Sequence, residues 1–584
     1  MEDVRFLAID YLLFIFMFGL SCIVGIYFGC CGNQSTTAEY FLGGKKMKVF
    51  PISMSLVAST LSGIGLISLP AEVYMHGMQI SVMIFGVITM GVLNNYLYMP
   101  VFHRLKLSTV NDYLEIRFDR VIKLIASFLY LITCILFLPL VIYAPSLAFT
   151  QVTGIQLHLI APIMSVICIF YTTIGGLKAI VWTDTLQFSI TLCTLAIVLV
   201  IGICSVGGPK TIWEASESGD RLEFFNVDPN PTLRCTFWSV FVGSIFTWLG
   251  FVAINPSGVQ RFSSIPKLED AKKASIIFSV FASLAKVISC FSGLILYTKY
   301  YGCDPLSAGY ITKIDQIVPY YVTDIAKQTP GVSGLFIAGL FSTAMSTLST
   351  HLNTVAGVLY LDFIKPTLRR GISEQASSNI IKVLTIVIGL VNVGMIFVAD
   401  KLGSLFELFH SAQAITGGPV LGLFTLGMLF PCANRRGALI GVISSLLLIS
   451  IIIIQTQVHV WHSDTRYLPK YLSTEWCNKT DRSDFIHQEM TPATPLTSSN
   501  AGGGNVFWLF RITFHYYYCI GTVLTILFGL IGSIITRKKD DPEVNPSLIS
   551  PCMVRLLSLP QYSTEKGRRM DVIKYNFRTM DDLD

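Results

Sequence analysis

Apolar runs of about 20 residues recur along the whole chain and are separated by shorter polar segments. A helix of about 20 apolar residues is long enough to cross the hydrocarbon core of a bilayer. The pattern therefore predicts an all-α polytopic membrane protein with about thirteen transmembrane helices. The predicted spans are 6–28, 49–72, 78–102, 121–148, 154–174, 182–206, 236–256, 274–298, 333–361, 380–399, 404–430, 437–457 and 508–536.

The composition supports this prediction. Of the 584 residues, 52% are hydrophobic and only 13% are charged, whereas a soluble protein of this length would carry far more charge. The net charge of +6 comes mostly from polar loops and needs no nucleic-acid partner. We find no P-loop, no nucleophile elbow and no histidine metal motif, so we expect neither an enzyme nor an ATP-driven pump.

Loop charge predicts the orientation in the membrane. We assign the basic loops and the tail 541–584 to the cytoplasm. The opposite side holds the acidic segment 214–228 and a long polar loop, 458–507, which contains a glycosylation acceptor at Asn478. We therefore expect an extracellular N-terminus and a glycan on Asn478. The basic loop residues are Lys45, Lys46, Lys48, Arg104, Lys106, Arg117, Arg120, Arg261, Lys267, Lys272, Lys273, Lys365, Arg369, Arg370, Arg435, Arg436, Arg537, Lys538 and Lys539.

Half of the fourteen cysteines lie in apolar spans and are expected to pack as small apolar residues. Three of them, Cys235, Cys303 and Cys477, fall on the side that we assign to the oxidising exterior. These three can form one disulfide with one thiol left over, and the sequence leaves the pairing open.

A dense set of hydroxyl groups occupies one apolar span, within the segment 339–353. At helical spacing its polar residues share one face. Buried oxygens of this kind bind a hard cation such as sodium, or they join helices through side-chain hydrogen bonds. Both interpretations stay open at this point. The residues on the shared face are Ser342, Ser346, Ser349, Thr350 and Asn353.

The order of the spans indicates internal symmetry. Spans two to six (49–206) and seven to eleven (236–430) form two sets of five, and an odd number inverts the second set. The first span of each set is interrupted by small residues, at 61–65 and at 248–258. Interrupted helices at corresponding positions of two halves indicate a binding site near the membrane midplane.

Over about residues 6–536 the chain resembles the sodium/solute symporter family, which includes sodium–glucose, iodide, monocarboxylate and multivitamin cotransporters. Among these, the iodide, monocarboxylate and multivitamin cotransporters resemble this chain most. The resemblance implies a LeuT-like five-plus-five inverted-repeat fold and a co-transported sodium ion. The motifs that carry it are AEYFLGG (38–44), SLPAEVY (68–74), YTTIGGLKAIVWTDTLQ (171–187), VQRF (259–262), the hydroxyl cluster and GGPVLGLF (417–424).

The resemblance also implies the ion sites. Sodium would be held between span two, through the carbonyls of Ala58 and Leu61, and span nine. Span nine would contribute the Thr343 carbonyl and the hydroxyls of Ser346 and Thr347. A second sodium would lie near Asp184, with Ser346, Ser349 and Thr350 as partners. The alternative for Asp184 is an interfacial residue that caps the end of its span.

The solute residues are inferred partly from the same resemblance. Sugar-type members place polar residues at the positions of Thr60 and Ile64, and the apolar Ile64 argues against a sugar. Gly65 replaces the glutamine of iodide-type members and leaves room for a larger solute. Trp248, beside the interruption of span seven, completes this predicted solute site.

Lys286 stands outside the resemblance. It lies near the centre of span eight on a face of small and polar residues, so we expect it to point at other helices rather than at lipid. A buried cation there suits an organic anion, or it forms a structural pair with a carboxylate, for which Glu407 is the candidate. Both interpretations stay open.

These observations predict a sodium-coupled symporter that imports a small organic anion, of the monocarboxylate or vitamin type, across the plasma membrane. One alternative is a sodium-gated sensor or leak pathway without coupled transport. Another is a symporter for a neutral nutrient or a sugar.

Overall fold

The computed structural model describes residues 6–31, 37–107, 109–327, 329–368, 372–399, 405–461, 467, 469–477, 507–538 and 544–558. All regular elements within these ranges are helical. The helices that we label are α1 Ala8–Cys31, α2 Val49–Thr60, α3 Gly63–His76, α4 Met78–Leu105, α5 Arg120–Thr153, α6 Leu157–Ser205, α7 Phe237–Ala253, α8 Pro256–Ser263, α9 Leu268–Lys299, α10 Ile317–Ala326, α11 Val332–Val358, α12 Glu374–Ala399, α13 Leu405–Leu429, α14 Arg435–Trp461 and α15 Tyr517–Thr536.

Each predicted span overlaps one of these helices. In the part of the chain that the structure describes, ten helices are long and apolar enough to cross a membrane, and the number is twelve if each of two bent pairs counts as one span. The 49-residue helix α6 is about 74 Å long at 1.5 Å per residue, which is enough for two crossings. It is interrupted at Gly176, whose φ of 57° and ψ of −167° are not helical. The count of thirteen therefore stays a prediction.

Both predicted interruptions are present. Helices α2 and α3 are bent by 59° at Leu61 and Ser62, and helices α7 and α8 are bent by 57°. The second bend has a clear local cause, because Pro256 has no amide hydrogen with which to continue α7. Instead, Asn255 caps the new helix by accepting a hydrogen bond of 3.0 Å from the Ser257 amide.

Helix α11 forms the centre of the bundle. Of the residues in its most apolar stretch, 94% are buried, and the helix packs against α1, α2, α5 and α6. Small residues allow this close approach. The amide of Gly334 donates a hydrogen bond of 2.7 Å to the buried carboxylate of Asp10 on α1. A side chain at Gly357 would collide with Phe41. The hydroxyl-rich segment is therefore held inside protein on all sides.

Loops that the charge pattern assigns to one side lie together. At one end Arg234 pairs with Glu72 at 2.6 Å, and Cys303 is bonded to Cys477. At the other end Arg435 pairs with Asp119 at 2.9 Å. The grouping agrees with the predicted alternation of spans, and the assignment of one end to the cytoplasm stays a prediction.

The disulfide resolves the choice among three cysteines. Cys303 and Cys477 are joined, with their Cα atoms 4.9 Å apart, and Cys235 remains a buried free thiol beside His515. Burial raises the pKa of the Cys235 thiol, which keeps it protonated and unreactive. The predicted glycosylation site, Asn478, lies outside the described residues.

Candidate sodium and solute site

The polar face of α11 is buried, and none of its side chains is more than 2% exposed. Several hydroxyls bond to their own helix, as Thr343 does to the Leu340 carbonyl at 2.8 Å. Others have no such bond. The Ser346 hydroxyl and the Asn353 amide are buried and have no hydrogen-bond partner among the described residues. The side chains of this face are Ser342, Thr343, Ser346, Thr347, Ser349, Thr350 and Asn353.

Helix α11 meets the end of α2 at the first bend, through one of the predicted sodium ligands, Thr347. The Thr347 hydroxyl shares its single hydrogen between two carbonyl acceptors, that of Ser59 at 3.1 Å and that of Thr343 at 2.9 Å. Because α2 ends at Thr60, its last carbonyls, including that of Ala58, have no partner in a next helical turn. The Leu61 backbone has left the helix, with φ −86° and ψ 54°. The hydroxyl face of α11 therefore contacts the end of α2, and the set of sodium ligands stays a prediction.

The Asp184 carboxylate is fully buried, so the alternative of an interfacial cap is wrong. Its Oδ2 atom accepts two hydrogen bonds, one of 2.6 Å from the Ser55 hydroxyl and one of 3.0 Å from Nη2 of Arg261. Arg261 also donates from Nε to Ser55 at 2.8 Å and from Nη2 to the Thr350 hydroxyl. Oδ1 has no partner among the described residues, and Ser346 lies beside the carboxylate.

Our sequence interpretation placed Arg261 in a basic cytoplasmic loop, which is wrong, because its side chain is buried and belongs to helix α8. It was therefore missed as a site residue, although it is part of the VQRF motif. Its guanidinium, 1% exposed, joins Asp184 and Thr350 in the region predicted for a second sodium. Ser349, the other predicted ligand, donates 3.1 Å to the Ser346 carbonyl. The only signal was a basic residue placed one helical turn after the second interruption. The second sodium stays a prediction, limited to the open oxygens of Asp184 and Ser346.

Two of the predicted solute residues differ in their surroundings. The Thr60 hydroxyl donates to the carbonyls of its own helix, at 2.8 Å from Leu56 and 3.1 Å from Val57, so it offers only an acceptor to a solute. Gly65 faces open space, because a Cβ atom placed there would have no neighbour within 4 Å. The structure leaves space beside Gly65, and the role of this space in binding a solute stays a prediction.

The other two predicted solute residues meet directly. The Lys286 ammonium on α9 lies 4.5 Å from the ring centre of Trp248 on α7, and both side chains are buried. The ammonium has neither a hydrogen bond nor an ion pair with any described side chain. Glu407 belongs to α13, but its side chain lies outside the described part, so its pairing with Lys286 stays a prediction.

A family model described as the sodium:solute symporter family matches residues 40–445, a range that contains both bends and the hydroxyl-rich face. The chain belongs to the sodium:solute symporter family. This confirms the resemblance found in the motifs, and it places the protein among transporters rather than enzymes.

Curated members of the family align along most of this chain. Sodium-coupled monocarboxylate transporter 1 of Xenopus laevis is 35% identical over 90% of this chain and 85% of its own length. The sodium/iodide cotransporter of Homo sapiens is 32% identical over 94% and 86%. The branch predicted from the motifs is thus confirmed.

A solved structure supports the fold class. A sodium-coupled sialic acid symporter, in a substrate-bound outward-open state, superposes with a TM-score of 0.73 at 21% identity, over 93% of this chain and all of its own. The LeuT-like symporter fold is confirmed by this similarity. The repeat boundaries 49–206 and 236–430 stay predictions.

Proposed function

We propose that this protein is a sodium-coupled symporter that imports a small organic anion, such as a monocarboxylate, across the plasma membrane. Membership in the sodium:solute symporter family supports the sodium coupling. The monocarboxylate relatives support the class of solute, since they align along nearly the whole chain. The buried cation Lys286 suits the same class.

The observation that carries this proposal is the contact between Thr347 and the Ser59 carbonyl. It places the hydroxyl face of α11 against the end of α2, where Ala58 and Leu61 offer carbonyls. A hydroxyl that donates one hydrogen bond keeps its lone pairs, so Thr347 can also coordinate a cation. Sodium would be held by oxygens from both elements.

Such a site couples the ion to a conformational change. Sodium bound between α2 and α11 stabilises the arrangement in which both elements offer oxygens, so it shifts the equilibrium toward that state. The neighbouring bend belongs to the same span as Gly65, on whose open side we place the solute. Each occupied site then favours the conformation that binds the other, because coupling between two binding sites is reciprocal.

The outer end of the solute pathway would be covered by the segment around α10. Two residues just before α10 hold this segment in place through hydrogen bonds of 2.9 Å. Asp315 accepts one from the Ser68 hydroxyl on α3, and Lys313 donates the other to the Tyr143 hydroxyl on α5. Closure to the outside and opening to the cytoplasm would then alternate around the fixed ion site.

We extend the proposal to the membrane orientation. The N-terminus would be extracellular, the loop 458–507 would carry a glycan on Asn478, and the tail 541–584 would be cytoplasmic. A glycosidase-sensitive mobility shift that is absent from Asn478→Gln is the expected result. A shift that persists in this variant would contradict the acceptor site.

The test of the proposed function is uptake of radiolabelled butyrate in cells that express the protein, with sodium or choline as the external cation. Membrane current is recorded in the same cells. We expect saturable uptake that requires sodium. Sodium-dependent current without uptake would favour the sensor or leak pathway. Sodium-dependent uptake of a sugar or of butyramide in place of butyrate would favour a neutral solute.

A further inference from the structure

The position of Lys286 along the pathway follows from two contacts of α9. Near its start, the Ala274 carbonyl accepts 3.2 Å from the Ser53 hydroxyl on α2. Nineteen residues later, Gly293 packs against Val73 on α3. The two contacts come in the same order along both segments, so α9 runs in the same direction as α2 and α3. Similar numbers of residues separate the contacts on the two segments, so positions between them can be matched by counting residues. Lys286 therefore lies level with about residues 63–66, which include Gly65.

The surroundings of Lys286 are polar but leave its charge without a counter-ion among the described residues. Trp248 offers only its ring face, 4.5 Å away. The Ser283 hydroxyl, almost one helical turn earlier on α9, is 8% exposed and has no hydrogen-bond partner among the described residues. A buried ammonium inside a membrane protein is costly unless it meets an anion.

Glu407 is poorly placed to supply that anion. Gly250 on α7 and Gly417 on α13 both pack against the Tyr518 hydroxyl, so the two glycines lie at about the same level. Trp248 is two residues from Gly250, whereas Glu407 is ten residues from Gly417. The Glu407 backbone is therefore at least about 12 Å from the level of Trp248 along the helix axis.

We infer that Lys286, Trp248 and Ser283 form the subsite that binds the carboxylate of the transported anion. This inference rests on the proposed function. The ammonium and the Ser283 hydroxyl donate to the carboxylate, the Trp248 ring holds the ammonium in place, and the open side of Gly65 accommodates the remainder of the solute. Selectivity for an anion over a neutral analogue then comes from one residue that lies outside the family motifs.

The test compares Lys286→Met with the matched control Lys273→Met, which alters an exposed lysine on the same helix. Uptake of butyrate and of its uncharged amide, butyramide, is measured together with the amount of protein at the cell surface. Loss of a charge-assisted hydrogen bond corresponds to roughly a tenfold to hundredfold weaker interaction. We expect the KM for butyrate to rise by about tenfold or more in Lys286→Met, with the control like wild type. The half-saturating sodium concentration, measured at saturating butyrate, should be almost unchanged.

A second pair of variants covers the case in which Lys286→Met does not reach the surface. Lys286→Arg keeps the charge and should retain the preference for butyrate over butyramide. Trp248→Leu keeps the lysine but releases it, and should raise the KM for butyrate severalfold. An unchanged KM in Trp248→Leu, or an unchanged preference in Lys286→Met, would overturn the subsite.

Two outcomes separate this inference from the proposals around it. If wild-type protein imports no monocarboxylate, the proposed function fails before the subsite is considered. If Glu407→Gln alone causes retention inside the cell, and Lys286→Met/Glu407→Gln restores surface protein with wild-type KM, the lysine is a structural ion pair and the subsite is wrong.

Discussion

The Nη2 atom of Arg261 lies 3.0 Å from the Oδ2 atom of Asp184, and both side chains are almost completely buried. The two residues belong to different halves of the chain, Asp184 to α6 and Arg261 to the short helix α8 after the second bend. Their ion pair therefore ties the first predicted repeat to the second. It also brings a positive charge next to the hydroxyl face of α11 through Thr350.

Removal of one partner from this pair should destabilise the protein strongly, because a buried charge is left without its counter-charge. Loss of one member of a buried pair costs about 3–5 kcal/mol. We expect Asp184→Asn to lower the thermal stability of the detergent-purified protein clearly, and Asp184→Asn/Arg261→Gln to recover part of the loss. Glu269→Gln, which removes an exposed ion pair with Lys272, is the control and should change little. Equal effects of Asp184→Asn and the control would show that the pair does not form.

The ion site makes a separate prediction. Ser346→Ala/Thr347→Ala removes two of the proposed oxygen ligands, so half-maximal uptake should need roughly tenfold to a hundredfold more sodium. Surface expression should persist, since alanine fits the space of both side chains. The matched control is Ser342→Ala, one turn earlier on α11, whose hydroxyl contacts the Met17 sulfur at 2.9 Å. Unchanged sodium dependence in the double variant would place the ion elsewhere.

The disulfide predicts how three cysteines differ in chemistry. After denaturation without reductant, Cys235 should react with a maleimide while Cys303 and Cys477 should not, and a reductant should expose both. Cys303→Ser should lower thermal stability, since a native disulfide contributes about 2–4 kcal/mol. Cys235→Ser should have little effect on labelling of the other two. A wild-type protein with all three thiols free would contradict the pairing.

The sequence predicted the helices well because membrane spans depend on local composition. A run of about 20 apolar residues must form a helix in a bilayer, whatever its neighbours are. The bend at Asn255 and Pro256 has an equally local cause. The hydroxyl face of α11 was visible because helical spacing alone brings its residues together.

Other features depend on packing between distant segments, which no local pattern contains. Arg261 meets Asp184 across 77 residues of sequence, and Trp248 meets Lys286 only because α7 and α9 are neighbours in space. Cys303 and Cys477 are 174 residues apart. A single sequence offers the residue types for such contacts but not their pairing, so the ion pair of Arg261 with Asp184 and the choice of disulfide could not be predicted.

The open oxygens beside Asp184 lead to a prediction about charge. Oδ1 of Asp184 and the hydroxyl of Ser346 are buried without hydrogen-bond partners among the described residues. If they hold a second sodium, two sodium ions enter with each monovalent anion, and one net positive charge crosses the membrane per cycle. Such a charge gains about 2.3 kcal/mol per 100 mV, which corresponds to roughly a fiftyfold change in accumulation.

We therefore expect butyrate to evoke an inward current that grows as the interior becomes more negative, with about two sodium ions taken up per anion. The current and the flux of radioactive sodium are measured in the same cells. Asp184→Asn, assayed in the fraction that reaches the surface, should reduce the ratio toward one and abolish the current while some uptake remains, because the Ala58–Thr347 site is intact. Ser342→Ala should keep the wild-type ratio. Electroneutral uptake by wild-type protein would show that Arg261, rather than a second sodium, neutralises Asp184 throughout the transport cycle.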